Sequence, residues 1–122
     1  LCCMADHDRI TQVLMNLFEN AIRYSEEKGA IEVSVKELQD SIGVSIRDSG
    51  IGIQREELSK IFDKFYRAKT ARKLKKKGTG LGLTIVKNII AAHNGTISVE
   101  SEPGKGSVFT FTLPKATFCN QV

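Results

Sequence analysis

Tryptophan is absent from this chain, and tyrosine and histidine occur twice each. No stripe interleaves basic and aromatic residues, so the positive balance does not read as a nucleic-acid surface. No apolar run approaches the roughly 18 residues that a membrane span needs, and no signal-peptide pattern opens the chain. The first residue is Leu1 rather than Met, which reads as a piece of a longer protein whose targeting or membrane segments would lie elsewhere. Cysteines number three, with Cys2 and Cys3 adjacent and Cys119 in the tail. That is neither a disulfide framework nor a zinc spacing, and reduced cytosolic thiols are the plain reading. No internal repeat appears, and the one biased segment is basic.

What is present suits one globular domain. A length of 122 residues with 41% hydrophobic and 26% charged residues is enough to bury a single core without staples. The net charge of +4 is local: eight Lys/Arg fall between Lys64 and Lys77.

Hydrophobic periodicity sets out the elements. Asp6 or Asp8 caps a helix running to about Tyr24, with Ile10, Val13, Leu14, Leu17 and Ala21 on one stripe. "AIEVSVKEL" and "SIGVSIRD" alternate around "QDS" as an antiparallel hairpin, with Ile31, Val33 and Val35 on one face and Ile42, Val44 and Ile46 on one face. "QREELSKIFDKF" predicts a short amphipathic helix, in which Phe62 and Phe65 serve the core. Residues 67–80 read as a mobile loop, and a helix follows from about Leu81 to His93, stopped by "NG". "TISVES" and "SVFTFTLP" form a second hairpin around "EPGKG", ended by Pro114. Strands in hairpins rather than βαβ crossovers predict an α+β, two-layer sandwich: a mixed, mainly antiparallel sheet with its helices on one face. The core spans residues 6–114, and 115–122 form a tail without pattern.

Three segments carry candidate chemistry. In "NLFENAIRYS", Asn16, Asn20 and Arg23 share a helix face bordering the buried stripe. An amide oxygen there suits magnesium and a guanidinium suits phosphate; alone, the same residues also describe a solvated helix face. "RDSGIGI" sets Asp48 at a strand end before Gly50 and Gly52, either as a plain turn or as a carboxylate able to hold an exocyclic amine. "GTGLGL" opens a helix with Gly78, Gly80 and Gly82, where unpaired N–H groups favour a phosphate chain. Its spacing is neither a Rossmann nor a P-loop fingerprint.

Taken together and in order, "NLFENAIRYS", "DSGIG", "IFDKFYR" and "GTGLGL" resemble the N, G1, F and G2 boxes of the histidine-kinase ATP-binding domain. This is the Bergerat fold shared with DNA gyrase and Hsp90-type chaperones, and the resemblance covers roughly Asp6 to Pro114. It implies a bound Mg-ATP. Asn20 would bind the magnesium ion, with Asn16 supporting the metal or phosphate shell. Asp48 would accept the adenine amino group, Gly50 and Gly52 would leave room for the base, and Tyr24 and Ile53 would wall it. Arg23 and Arg67 would meet phosphate oxygens, assisted by Lys64. Gly78, Thr79, Gly80, Leu81 and Gly82 would wrap the phosphates behind a basic ATP lid. Asn16, Asn20 and Arg67 are the candidate catalytic set.

The gyrase and Hsp90 relatives place a glutamate at the first N-box position to activate water. Here that residue is Asn16, which cannot act as a general base. The chain therefore resembles a domain that holds ATP for transfer to a histidine on a separate dimerisation domain of the same parent, with a response regulator as indirect partner. His7, nine residues before Asn16, does not fit as that acceptor. His93, near a helix C-terminus, reads as structural. The alternatives are a nucleotide-gated binding module without transfer and a protein-serine kinase of the same superfamily. The resemblance further implies a monomeric cytoplasmic domain of a membrane-anchored parent, with no nucleic acid as partner.

Overall fold

The computed structural model describes residues 5–25, 29–64, 66 and 82–116. Helix α1 spans His7–Tyr24, strand β1 Ile31–Glu37 and β2 Ser41–Asp48. A 3-10 turn covers Arg55–Glu57, helix α2 Gly82–Ala92, β3 Thr96–Glu102 and β4 Gly106–Pro114. Of the two aspartates able to cap α1, Asp6 does so: its carboxylate accepts from the N–H groups of Asp8 (3.0 Å) and Arg9 (3.2 Å). The helix then buries the expected stripe, with Val13, Leu17 and Ala21 inside and Ile10 and Leu14 packed beside them.

The sheet order is β1-β2-β4-β3, and every pairing is antiparallel. The two-layer α+β architecture expected from the periodicity is borne out. Alternation puts Ile42, Val44, Ile46 and Asp48 of β2 on the helix-bearing face, together with Ser107, Phe109, Phe111 and Leu113 of β4 and Ile97, Val99 and Ser101 of β3. Phe111, Ile46, Phe109, Val86, Ile90 and Leu17 form the centre of the core. Hydroxyls fill much of the opposite face: Ser45 bonds Thr110 at 2.8 Å and Thr96 bonds Thr112 at 2.7 Å.

One strand departs from its pattern. Val33 and Val35 stand on the helix-bearing side, in register with Ile46 and Val44, yet are 47% and 58% exposed. Helix α1 packs on β2 and α2 on β3 and β4, which leaves the edge strand β1 without a covering helix among the described residues.

The segment expected as an amphipathic helix is instead a run of tight turns. Glu57, Leu58, Lys60, Asp63 and Tyr66 each donate a backbone N–H to the carbonyl three residues earlier. This pitch rises about 2.0 Å per residue against 1.5 Å in an α-helix. Just before the segment Ile53 N–H is held by Ser101, and within it the Tyr66 hydroxyl donates to Glu57 at 2.5 Å. Glu57 and Ile61 are buried, and Phe62 packs edge-on against Phe109, ring centroids 6.3 Å apart at 85°. Phe65 lies outside the described residues.

Helix α2 buries Val86 and Ile90. Asn94 ends it in the left-handed conformation (φ 60°), while Gly95 N–H returns to Ile90 O and Asn94 N–H to Ala91 O. No helix among the described residues is long and apolar enough to cross a membrane.

Candidate functional site

Helix α1 and strand β2 run in the same direction, so Tyr24 and Asp48 arrive at one end of the sheet. The loop after β2 is seated on the end of α1, where Ile51 N–H donates to Tyr24 O at 3.1 Å. Gly50 makes this possible. A Cβ there would lie 1.9 Å from Tyr24 O and 2.9 Å from the Asp48 carboxylate. Gly52, at φ +72°, meets the other side of the sheet: its missing Cβ would lie 2.1 Å from Glu102 O. Both glycines were expected to leave room for a base. Their unfilled volume is taken up by backbone of neighbouring segments, so each permits a chain crossing that frames the site.

Asp48 is 5% exposed. Its carboxylate accepts from Gly50 N–H at 2.9 Å and from the backbone N–H of Ser107. Burial pushes its pKa above the usual carboxylate range, and the two N–H bonds pull in the other direction. Ile53 is half-buried against the core and donates its N–H to Ser101 Oγ at 2.8 Å.

On α1, Asn16, Asn20 and Arg23 share one half-buried face, and Asn16 reaches α2. Asn16 Nδ2 donates to Gly82 O at 3.3 Å, which ties this face to the N-terminus of α2 and to the last glycine of the "GTGLG" run. Asn20 makes no side-chain hydrogen bond among the described residues, which leaves its amide oxygen open. The Arg23 guanidinium sits 6.0 Å from the centroid of the Tyr24 ring, at the limit of a cation–π contact. Thr84, in the first turn of α2, donates its hydroxyl to Phe62 O at 2.9 Å and links that helix to the tight-turn segment. Lys64 is exposed at the end of that segment. Arg67, Gly78, Thr79, Gly80 and Leu81, and the basic run between them, lie outside the described residues.

Neither histidine reaches this end of the sheet. His7 begins α1, about 25 Å along the helix from Tyr24. His93 bonds Ile89 O through Nδ1 at 2.8 Å and accepts Asp6 N–H at Nε2 at 3.0 Å. With Asp6 N–H donating to Nε2, Nδ1 is the ring nitrogen that meets Ile89 O, and the side chain clamps the end of α2 to the start of α1.

Two site residues escaped the sequence reading. Ser107, 6% exposed, stands beside Asp48, and Ser101 stands beyond Ser107 in the same row across the sheet, Asp48↔Ser107↔Ser101. A signal for them existed. Each occupies an inward-facing position where the alternation set by Ile97 and Val99, and by Phe109 and Phe111, calls for an apolar residue.

No His, Cys, Asp and Glu cluster of metal-binding kind occurs among the described residues. Magnesium binds through one or two protein oxygens together with phosphate oxygens and retained waters, so an open amide such as that of Asn20 fits it without a carboxylate cage.

Known proteins resemble this chain in sequence and fold. Residues 5–117 match the family model for histidine kinase-, DNA gyrase B-, and HSP90-like ATPases. The sensor histidine kinase WalK of Bacillus subtilis (strain 168) is 47% identical over 111 residues, covering 89% of this chain and 18% of WalK. The chain thus spans about a fifth of the length of that curated relative. The nucleotide-free catalytic domain of histidine kinase ThkA superposes with a TM-score of 0.77 at 40% identity, over 91% of this chain and 70% of that one. Full-length ShkA, crystallised in complex with AMPPNP, gives a TM-score of 0.81 at 31% identity, over 97% of this chain and 24% of that one. A buried carboxylate beside two chain-crossing glycines, an amide face aimed at a helix N-terminus and these likenesses together place the chain in the family of histidine kinase-, DNA gyrase B- and HSP90-like ATPases, as a histidine-kinase catalytic domain.

Proposed function

We propose that this domain binds Mg-ATP between α1, the loop after β2 and the N-terminus of α2, and presents the γ-phosphate to a histidine on a dimerisation domain of its parent kinase. The observation that carries this is the junction of three motifs far apart in sequence. Asn16 reaches Gly82, Gly50 seats on Tyr24, and Asp48 is buried between. The base would lie on the Asp48 side, with its amino group donating to the carboxylate and Tyr24 and Ile53 alongside. The phosphates would run toward Arg23, Asn16 and the N–H groups opening α2, where the helix dipole favours negative charge. Asn20 would hold magnesium, which on binding neutralises phosphate charge. ShkA's complex with AMPPNP supports the same class of ligand here.

Transfer rather than hydrolysis follows from Asn16. An amide at this position takes no proton from water, and the acceptor must come from outside the site, since His7 and His93 both lie away from it. The response regulator is then an indirect partner, and the parent kinase is membrane-anchored. With γ-labelled ATP, the isolated domain is expected to acquire no acid-labile phosphohistidine, whereas adding the helical dimerisation domain of the parent yields label there. Label on the isolated domain overturns the division of labour. Absence of label on both, with ATP still bound, favours a nucleotide-gated binding module.

The metal assignment has its own test. Asn20→Ala is expected to abolish the magnesium dependence of ATP affinity while leaving adenosine affinity within about twofold, because only the phosphate end loses a ligand. Titrations with and without magnesium decide it, and an undiminished magnesium effect moves the role to another residue.

A further inference from the structure

The middle of the helix-bearing face of the sheet carries apolar cross-strand rows. Val35, Val44, Phe111 and Ile97 form one row, and Val33, Ile46, Phe109 and Val99 the next. The terminal row is Ile31, Asp48, Ser107 and Ser101. Three polar side chains at the edge of a core need a complete set of partners, and one hydroxyl supplies most of it. Ser101 Oγ lies 2.8 Å from Ile53 N, 3.0 Å from Gly106 O and 2.7 Å from Ser107 Oγ.

The polarity of these bonds follows from donor counting. A serine hydroxyl has one proton and two lone pairs. Ile53 N–H can only donate, so it takes one lone pair of Ser101. Gly106 O can only accept, so it takes the single proton. Ser107 Oγ–H must then donate to the second lone pair of Ser101. Its proton is thereby spent inside the protein, and what Ser107 has left are lone pairs. Beside it stands Asp48, whose carboxylate is held by the N–H groups of Gly50 and Ser107 and offers only acceptors outward when ionised.

We infer that Ser101 is a positioning and specificity-determining residue for the nucleotide base. It anchors Ile53 through that residue's N–H, and it turns Ser107 into a pure acceptor next to Asp48. The base-facing end of the site then presents acceptors alone. An exocyclic amine such as that of adenine satisfies them, and a ring carbonyl such as that of guanine repels them. Ser101 touches no nucleotide in this scheme and acts through Ile53 and Ser107. The inference rests on the reading of Asp48 as acceptor of the adenine amine.

The test compares Ser101→Ala, Ser101→Cys and Ser101→Thr with the unsubstituted domain, by calorimetric titration of adenosine, ATP and GTP well below the melting temperature. Ser101→Ala and Ser101→Cys are expected to weaken adenosine and ATP by the same factor, about three- to tenfold. Their ATP-over-GTP preference should fall by a similar factor, because the Ser107 proton is freed to donate to a carbonyl. Amide exchange at Ile53 should accelerate in both variants. Ser101→Thr keeps the hydroxyl on a strand that tolerates β-branching and should restore affinity and preference to within about twofold. A merely structural serine would lower the melting temperature and leave the ATP-over-GTP ratio unchanged. That ratio unchanged in Ser101→Ala or Ser101→Cys, while Asp48→Ala loses adenosine binding, overturns the role of Ser101. Adenosine affinity unchanged in Asp48→Ala removes the reading of Asp48 and the inference with it.

Discussion

Replacing Asp48 by alanine is expected to weaken adenosine and ATP binding alike by about ten- to a hundredfold. On the proposed reading the lost contact would be a hydrogen bond to a charged acceptor, worth about 1.5–3 kcal/mol, and it would lie on the base rather than on the phosphates. Adenosine and ATP should therefore lose the same factor. A loss confined to ATP would move Asp48 to the phosphate end, and unchanged affinity for both would place base recognition elsewhere. Asp48→Asn adds a second readout. Burial raises the Asp48 pKa, against the opposing pull of the Gly50 and Ser107 N–H groups. Stability gained by keeping Asp48 protonated is thus complete below the unfolded carboxylate pKa of about 3.9 and is lost as pH rises through the higher folded value. Asparagine has no such titration. The melting temperature of Asp48→Asn relative to the unsubstituted domain should rise between pH 4 and pH 7, while adenosine binding is impaired throughout. A pH-independent difference would mean that the carboxylate titrates alike folded and unfolded. The expected pattern identifies Asp48 as a residue kept for its ligand at a cost to the free domain.

Gly50→Ala should damage both the fold and the site. The added carbon would sit 1.9 Å from Tyr24 O, 2.7 Å from Tyr24 C and 2.9 Å from Asp48 Oδ1. Two of these neighbours are backbone, and Tyr24 O already accepts Ile51 N–H. Relief requires lifting the loop from the end of α1, which breaks that bond and the Gly50 N–H bond to Asp48 together. Overpacking of about 1–3 kcal/mol, with two hydrogen bonds of about 1 kcal/mol each, gives a loss of about 4 kcal/mol. Against a total of about 5–15 kcal/mol for a domain, this is a large shift in the urea midpoint. Because Asp48 loses one of its N–H partners, adenosine affinity should fall as well, even at temperatures where the variant is folded. Gly82→Ala is the contrasting substitution. No described atom lies within 4 Å of its added carbon, and alanine is the better helix former. Its urea midpoint should stay level or rise slightly. A Gly50→Ala midpoint equal to that of the unsubstituted domain would refute the chain-crossing role.

By itself the sequence determined the local structure and the family. Period-2 and period-3.6 patterns mark β2, β4, α1 and α2 because each element repeats along its own axis, and a neighbour in sequence is enough to reveal the repeat. The four boxes were legible for the same reason: phosphate, metal and base each demand short runs of particular residues. The tight turns from Gln54 to Tyr66 were not legible as such. An apolar spacing of three to four fits either pitch, so the pattern along the chain does not choose between them. Nor could alternation reveal that Val33 and Val35 stay exposed. It reports which side of β1 is apolar, and only the placement of α1 over β2 decides whether anything covers that side. A glycine in "DSGIG" announces a need for space, but the occupant, Tyr24 O for Gly50 and Glu102 O for Gly52, comes from segments remote in sequence. The row of Asp48, Ser107 and Ser101 arises only when three strands align in register, because hydrogen-bond polarity belongs to a network of neighbours in space rather than to any one residue type.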